Sequence, residues 1–184
     1  MIVKQAEIRD IPAVLELLQA NHVNNVKDRS NGFVTTNMTE GQLAALIERE
    51  NGVTIAKEDE RVLAFAMAGS WDYWAEWPFF AYMIEQLPKF SFEGKVLTVE
   101  GSYQYGPVCI DESVRGTGVF EKVFYASLAS MRARYPVMAT FINHVNPRSF
   151  AAHTRKVAMT HVGDFQFNGN NYYLMACPTD LGSV

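Results

Sequence analysis

Two glycines between a predicted strand and a predicted helix form the strongest candidate for a binding site. Residues 103–110 are apolar and β-prone, and Arg115-Gly116-Thr117-Gly118 precedes a helical pattern that runs to Arg134. Glycine permits a tight turn, and the free N–H groups and positive dipole end of a helix start suit a phosphate or diphosphate. We therefore expect this stretch to bind an anionic group.

Two common phosphate-binding motifs are excluded at this position. The P-loop requires GxxxxGK[ST], and no such string occurs in the sequence. The dinucleotide-binding motif requires GxGxxG, and the run that begins at Gly116 has Glu121 at its last position. An arginine followed by a glycine turn remains, and the glycine-containing start of an ordinary core helix explains the same residues.

Composition and charge narrow the class of protein. The chain has 184 residues, of which 48% are hydrophobic and 20% charged, as is typical of one soluble globular domain. A net charge of -4 argues against a protein that binds nucleic acid through phosphate contacts. The only cysteines are Cys109 and Cys177, which predicts a reducing compartment and no structural zinc. Neither a membrane-spanning stretch nor a signal-peptide pattern is evident, so we expect a cytoplasmic protein without a membrane partner.

The hydrophobic pattern predicts the element order β-α-α-β-β-(insert)-β-α-β-α-β-β. Asp10 is the predicted cap of the first helix, and the run from Thr39 to Gln42 matches a capping box for the second. Val96–Val99 either begins the central strand or is separated from it by Gly101. The predicted strands cover residues 2–6, 53–56, 61–69, 103–110, 137–142, 165–167 and 172–176, and a short helix covers 79–87.

Two stretches of the chain, together with the predicted element order, resemble the GNAT acetyltransferase superfamily. The run from Arg115 to Phe120 is similar to the acetyl-CoA signature [QR]-x-x-G-x-[GA], with Phe120 at the position where the family prefers a small residue. The run from Asn146 to His153 is similar to the later helix N-x-x-[AS]-x-x-x-[YH]. The resemblance covers nearly the whole chain. It implies a single acyl-CoA N-acyltransferase domain, residues 1–184, with an α+β fold and a mixed, mostly antiparallel sheet flanked by helices.

The same resemblance implies acetyl-CoA as co-substrate and no metal. The diphosphate would bind, mostly through backbone N–H groups, to Arg115, Gly116, Thr117, Gly118, Val119 and Phe120. The pantetheine would pair with the strand backbone of Val108, Cys109 and Ile110, where one N–H could also polarise the thioester carbonyl. Asn146 and Ser149 are further candidate CoA contacts, although helix capping explains Asn146 equally well.

Candidate catalytic residues also follow from the resemblance. His153 lies where many family members have a tyrosine near the CoA sulfur, which implies proton donation to the leaving thiolate; a packing histidine is the alternative. Glu100 is the candidate base, and Tyr105, on the central strand, is a candidate acceptor contact. Gln104 lies near a position where some members carry a carboxylate, but an amide cannot accept the proton.

Residues 71–92, called here the aromatic insert, are too long for an ordinary connection and too apolar to stay solvated. They contain all three tryptophans of the chain. We expect Trp71, Tyr73 and Trp74 to form one wall of the acceptor pocket, because amphipathic rings suit a half-wet site. The alternative role for this segment is the interface of a homodimer.

These observations favour an N-acetyltransferase that transfers an acetyl group from acetyl-CoA directly to a primary amine of a small-molecule or amino-acid-like acceptor. Two other classes stay open at this point. One is a non-catalytic acyl-CoA-binding or sensor module on the same fold, and the other is a protein-interaction domain.

Overall fold

The structure, a computed structural model, describes residues 1–182. Its strands are β1 Ile2–Gln5, β2 Val53–Glu58, β3 Arg61–Gly69, β4 Ser91–Phe92, β5 Lys95–Val96, β6 Ser102–Ile110, β7 Val137–Asn143, β8 Thr160–Phe167 and β9 Asn170–Pro178. Its α-helices are α1 Ile11–Ala20, α2 Glu40–Glu50, α3 Trp71–Trp74, α4 Pro78–Gln86, α5 Val119–Met131 and α6 Pro147–Arg155.

Seven strands form a mixed, mostly antiparallel sheet in the order β1-β2-β3-β6-β7-β9-β8. The pairs β1–β2, β2–β3, β7–β9 and β8–β9 are antiparallel, whereas β6 and β7 are parallel. Helices flank this sheet, so the predicted α+β class and element order are confirmed. The parallel β6–β7 ladder covers only three residue pairs and ends at Gln104 opposite Ala139.

The chain divides into two compact units. The first unit contains Met1–Ala68 and Gly106–Ser130, and the second contains Gly69–Tyr105 and the chain from Met131 onward. Strand β6 contributes its first half to the second unit and its second half to the first. The single-domain organisation expected from the sequence stays a prediction.

Local signals in the sequence set the helix ends of the first unit. The capping box is confirmed: Thr39 Oγ1 accepts from Gln42 N, and Gln42 Oε1 accepts from Thr39 N. Asp10 does occupy the N-cap position of α1, but its carboxylate makes no capping bond to that helix. It accepts instead from Glu7 N and from Lys57 Nζ, each at 2.9 Å. These two bonds offset the free-energy cost of burying the carboxylate.

In the second unit, α6 and the aromatic insert cover opposite faces of the sheet. Phe150 of α6 packs on Tyr173, with 4.2 Å between ring centroids. Phe79 of α4 packs on Phe141 and Tyr172, at 4.3 and 4.9 Å. Because successive strand residues point to opposite faces, Tyr172 and Tyr173 mark the two sides. The insert therefore forms a layer of core on the face that α6 leaves open.

Of the two alternatives for Val96–Val99, the structure has the one in which this stretch is separate from the central strand, with only Val96 in a strand. Lys95 and Val96 form a short hairpin with Ser91 and Phe92, and residues 97–101 form a turn before β6. The turn is held by Thr98, whose Oγ1 accepts from Gly101 N at 3.0 Å. Side-chain acceptance by a threonine competes with a sheet ladder, which explains the interruption.

Burial separates the aromatic side chains that open the insert. Trp71 and Trp74 are only 1% and 0% exposed, whereas Tyr73 is half-buried. Trp71 Nε1 donates to Ser102 Oγ at 3.0 Å, and the Trp74 ring packs against Trp77 and Phe80. Of the three rings, only Tyr73 therefore has the expected half-wet environment, because Trp71 and Trp74 are buried in the core of the insert.

Replacing Trp74 with alanine tests this core role. Trp74→Ala should lower the free energy of unfolding by about 3–5 kcal/mol, because it removes a fully buried ring. Urea unfolding followed by circular dichroism measures it. Tyr125→Ala, at a position 38% exposed on α5, is the control and should change stability by less than about 1 kcal/mol. Equal effects of the two changes would contradict the core role.

Candidate active site

The turn between β6 and α5 requires glycine at two positions. Gly116 and Gly118 have φ angles of 76° and 84°, which lie in the left-handed region that disfavours other residues. A Cβ placed on either glycine would meet no atom within 4 Å, so the space above the turn is open. The sequence prediction of a strand, a glycine turn and a helix is confirmed here.

The start of α5 offers backbone donors next to this turn. The first helical hydrogen bond runs from Lys122 N to Gly118 O at 3.3 Å. The N–H groups of Val119, Phe120 and Glu121 precede that bond, as the first N–H groups of any helix do. Together with the positive end of the helix dipole, they give the turn the chemistry of an anion site.

The side chain of Arg115 braces the turn. Its Nε donates to Ile110 O and its Nη2 donates to Asn21 Oδ1, both at 3.3 Å. Arg115 also lines a cavity of about 360 Å³ between the loop after α1 and the turn after β6. Two of its five N–H donors are thus bound within the protein.

The second half of β6 is the outermost strand of the sheet in the first unit. Val108 and Ile110 are half-buried there and Cys109 is buried, while Asp111 N donates to Leu63 O of β3 at 2.8 Å. Burial raises the pKa of the Cys109 thiol far above its ordinary value, so this residue is no nucleophile. Val108, Cys109 and Ile110 can therefore contribute backbone groups rather than side-chain chemistry.

A histidine and a tyrosine meet at the end of the β6–β7 ladder. Tyr105 Oη lies 3.3 Å from His153 Nε2, and His153 Nδ1 lies 2.8 Å from the carbonyl oxygen of Ser149. A carbonyl oxygen only accepts, so Nδ1 carries the proton and Nε2 is the acceptor of the Tyr105 hydroxyl. The geometry assigns the tautomer of His153.

Burial changes the chemistry expected of His153. The residue is 3% exposed, and burial lowers the pKa of its imidazole to about 4, although the hydrogen bond to Ser149 opposes this shift. His153 is therefore neutral at pH 7, with Nε2 as the acceptor of the Tyr105 hydroxyl. Proton donation by His153 to the leaving thiolate stays a prediction.

Two side chains fix the backbone of Tyr105. Thr140 Oγ1 and Gln104 Nε2 both donate to the carbonyl oxygen of Tyr105. The second amide atom of Gln104, Oε1, is buried and has no hydrogen-bond partner within residues 1–182. These bonds hold Tyr105 at the first β6 position beyond the ladder with β7. Sequence reasoning missed Thr140, and the only signal was one hydroxyl in an apolar strand.

The other candidate site residues differ in how close they lie to the Tyr105–His153 pair. Glu100 is exposed in the turn before β6. Asn146 Oδ1 accepts from Ser149 N at 3.4 Å, so Asn146 is a helix cap. Ser149 Oγ lies 3.4 Å from His153 Nδ1. The structure thus joins Tyr105, Ser149 and His153 but does not bring Glu100 to them.

The acceptor-wall candidates lie near the other face of the same strand. Trp71 is bonded to Ser102, whose side chain points away from the face that carries Tyr105, as alternation along a strand requires. Within residues 1–182 no cluster of three or more potential metal-ligating side chains occurs. No helix in that range combines the length and apolarity needed to cross a bilayer.

Solved structures share this architecture. No protein-family model and no curated protein sequence matches the chain. A GNAT superfamily phosphinothricin acetyltransferase from Sinorhizobium meliloti, solved with acetyl-CoA, superposes with a TM-score of 0.64 at 15% identity, over 96% of this chain and 87% of that one. An N-acetyltransferase from Staphylococcus aureus Mu50 gives 0.64 at 16% identity, over 97% and 98%.

This chain has the GNAT fold. A ribosomal-protein-alanine N-acetyltransferase from Brucella melitensis gives the same result, with a TM-score of 0.62 at 18% identity over 97% of this chain and 99% of that one. At such identities the likeness concerns the fold alone. The glycine turn after β6 and the Tyr105–His153 pair are the candidate functional features of this chain.

The lowered pKa of His153 predicts how stability depends on pH. The unfolded histidine titrates near its ordinary pKa of 6.5 and the folded one near 4, so the unfolded state binds more protons between these values. The free energy of unfolding should therefore be fully present above pH 6.5 and fall by roughly 2 kcal/mol between about pH 7 and 5 from this group. Urea titrations at the two pH values measure the change.

His153→Phe is the matched control, because it keeps a buried ring and removes the titrating group. The difference in unfolding free energy between the two pH values should shrink by roughly 2 kcal/mol in this variant. An identical pH dependence in both proteins would show that burial does not depress the pKa of His153.

Proposed function

We propose that this protein is an N-acetyltransferase that transfers the acetyl group of acetyl-CoA directly to a primary amine. The acceptor is a small molecule or resembles an amino acid. The observation that carries the proposal is the turn of Gly116 and Gly118, which presents the backbone donors of α5 beside open space on the GNAT fold. An anion such as the CoA diphosphate meets both the N–H groups and the positive dipole end there.

The backbone of strand β6 also supports the proposal. Its second half is the edge of the first unit's sheet, and edge strands leave a row of backbone groups unpaired. The pantetheine contains two amides, which pair with such an edge as an added strand does. A chain of that length, held by its diphosphate at the turn, runs along the backbone of Val108, Cys109 and Ile110.

Direct transfer requires the amine nitrogen to reach the thioester carbonyl while that carbonyl is polarised. Backbone N–H groups of β6 near Val108 stabilise the negative charge that develops on the oxygen. Proximity supplies a large part of the rate, because both reactants are held at one point of the strand. No side-chain nucleophile is needed, which agrees with the raised thiol pKa of the buried Cys109.

The aromatic insert supports the acceptor side of the proposal. Trp71 and Trp74 form its core, and Tyr73 keeps a half-buried ring packed at 4.9 Å from Trp74. We assign the acceptor contact to Tyr73, with the two tryptophans holding it in place. The packing of α4 against β7, β8 and β9 uses the apolar side of the insert within one chain, so a homodimer is the weaker explanation of its composition.

Two variants at one glycine test CoA binding. Both Gly118→Ala and Gly118→Asp strain the positive φ angle by about 1–2 kcal/mol, but only aspartate places a negative charge at the diphosphate. Calorimetry should show a CoA affinity at least about 100-fold weaker in Gly118→Asp than in Gly118→Ala, since about 3 kcal/mol of charge-assisted hydrogen bonding is lost. Equal affinities would remove CoA from this turn.

A panel of primary amines tests catalysis. Release of the CoA thiol should rise at least tenfold above the hydrolytic background with one or more amines, and the product should be heavier by one acetyl group in mass spectrometry. Tight CoA binding without turnover would favour a non-catalytic acyl-CoA-binding module. The lack of any CoA binding would favour a protein-interaction domain.

A further inference from the structure

The cavity that Arg115 lines has the size of a binding site for a small metabolite. It encloses about 360 Å³ between the end of α1, the loop after α1 and the turn after β6. Binding sites for small molecules usually have volumes of about 300–1,000 Å³. Every residue that lines this cavity belongs to the first compact unit, so one unit of the chain forms the whole cavity.

Charged side chains of both signs line the cavity. Lys27 and Arg115 are the cations, and Asp28, Asp111 and Glu112 are the anions. The loop after α1 contributes one residue of each sign, and the turn after β6 contributes the other three. Complementary charge determines which ligand a site accepts, so this lining favours a ligand that carries both signs.

Three of these charges have no counter-ion within the protein. Lys27 and Glu112 make no side-chain hydrogen bond or ion pair within residues 1–182. Asp28 accepts hydrogen bonds from Ser30 N at 2.9 Å and from Asn31 Nδ2 at 3.3 Å, but both donors are neutral. A charged ligand therefore competes with no ion pair for these three side chains.

The other two charges of the lining differ from each other. Asp111 Oδ2 lies 3.9 Å from Arg61 Nη2, which offsets part of its charge. Arg115 donates to the neutral oxygens of Ile110 and Asn21, so these two contacts leave its positive charge in place. The cavity therefore keeps two cations, Lys27 and Arg115, beside two carboxylates, Asp28 and Glu112.

The lining disfavours ligands of a single charge. A phosphate or diphosphate would meet carboxylates from both the loop after α1 and the turn after β6, and a metal cation would meet Lys27 and Arg115. A zwitterion satisfies both signs at once. The lining also includes Leu17, Ala20 and Val26, which offer apolar contact to an aliphatic side chain.

We propose that this cavity binds a free aliphatic amino acid in its zwitterionic form. Asp28 and Glu112 bind the ammonium group of the ligand, and Lys27 and Arg115 bind its carboxylate. The proposal concerns binding alone and holds whether or not the protein transfers an acetyl group.

Three related ligands test which charges the cavity recognises. Leucine carries both charges, leucinamide lacks the carboxylate, and N-acetylleucine lacks the ammonium group. Calorimetry should show leucine binding with a Kd below about 1 mM, in the usual range for small metabolites. Each analogue should bind at least about tenfold more weakly, because it loses hydrogen bonds between charged groups. Equal affinity of leucine and either analogue would overturn the proposal.

Two variants remove the same charges from the protein. Glu112→Gln and Lys27→Gln break no side-chain bond within the described residues, so both should fold as wild type does. Each should weaken leucine binding by about tenfold or more. Lys27→Gln should change the affinity for leucinamide by less than about twofold, because that ligand has no carboxylate to bind. A variant that binds leucine as tightly as wild type would contradict the assigned contacts.

Asp59→Asn is the control for a change of net charge. Asp59 is exposed in the turn between β2 and β3, in the same compact unit, and does not line the cavity. Asp59→Asn should bind leucine as wild type does. An equal loss of affinity in Asp59→Asn and Glu112→Gln would show that net charge, and not the cavity, controls binding.

Nuclear magnetic resonance locates the ligand. Addition of leucine to wild-type protein should shift the backbone amide resonances of residues 21–32 and 111–115. Shifts confined to other parts of the chain would overturn the proposal. Inorganic phosphate should leave these resonances in place, and saturable shifts with phosphate would show an anion site instead.

The outcomes for this proposal and for the proposed function are separate. Wild-type protein that acetylates amines but binds no leucine in the cavity would refute the amino-acid site alone. Wild-type protein that binds leucine there but binds no CoA would refute the proposed function alone.

Discussion

The site depends on strand β6 parting from β7 after three residue pairs. Ser102, Tyr103 and Gln104 pair with β7, and the carbonyl of Tyr105 then receives its hydrogen bonds from side chains of Thr140 and Gln104. A buried carbonyl without such partners would cost about 1–3 kcal/mol. Because these bonds replace the missing ladder, β6 can continue to Ile110 with an edge available to a ligand.

The same strand connects the two chemical features of the chain. Tyr105 meets His153 where the ladder with β7 ends, and five residues later β6 reaches the turn braced by Arg115. Polar side-chain contacts thus occur near both ends of this strand segment.

Much of the architecture was predictable because it follows from local pattern. The strand, glycine turn and helix at 103–131, the capping box at Thr39 and the closing hairpin all depend on neighbouring residues. The hairpin of Ser91–Val96 and the burial of Trp74 were not predictable, because they depend on competition between a turn and a ladder and on packing across the sheet. The element order alone predicts neither the hairpin nor the burial of Trp74.

The state and contacts of the candidate catalytic residue His153 were less predictable, because they depend on the tertiary fold and not on neighbouring residues. The sequence places a histidine at position 153, but its protonation state depends on burial and on the Ser149 carbonyl, which only the fold supplies. Its contact with Tyr105 joins residues 48 positions apart and depends on the alignment of β6 with α6. Thr140 was missed because its hydroxyl gains a role only when β6 parts from β7.

A crystal structure of the protein with CoA tests the central claim most directly. We predict electron density for the diphosphate over the N–H groups of Val119 and Phe120, with the pantetheine along Val108–Ile110. Density for CoA elsewhere on the protein, or a diphosphate that makes no contact with the Gly116–Gly118 turn, would contradict it.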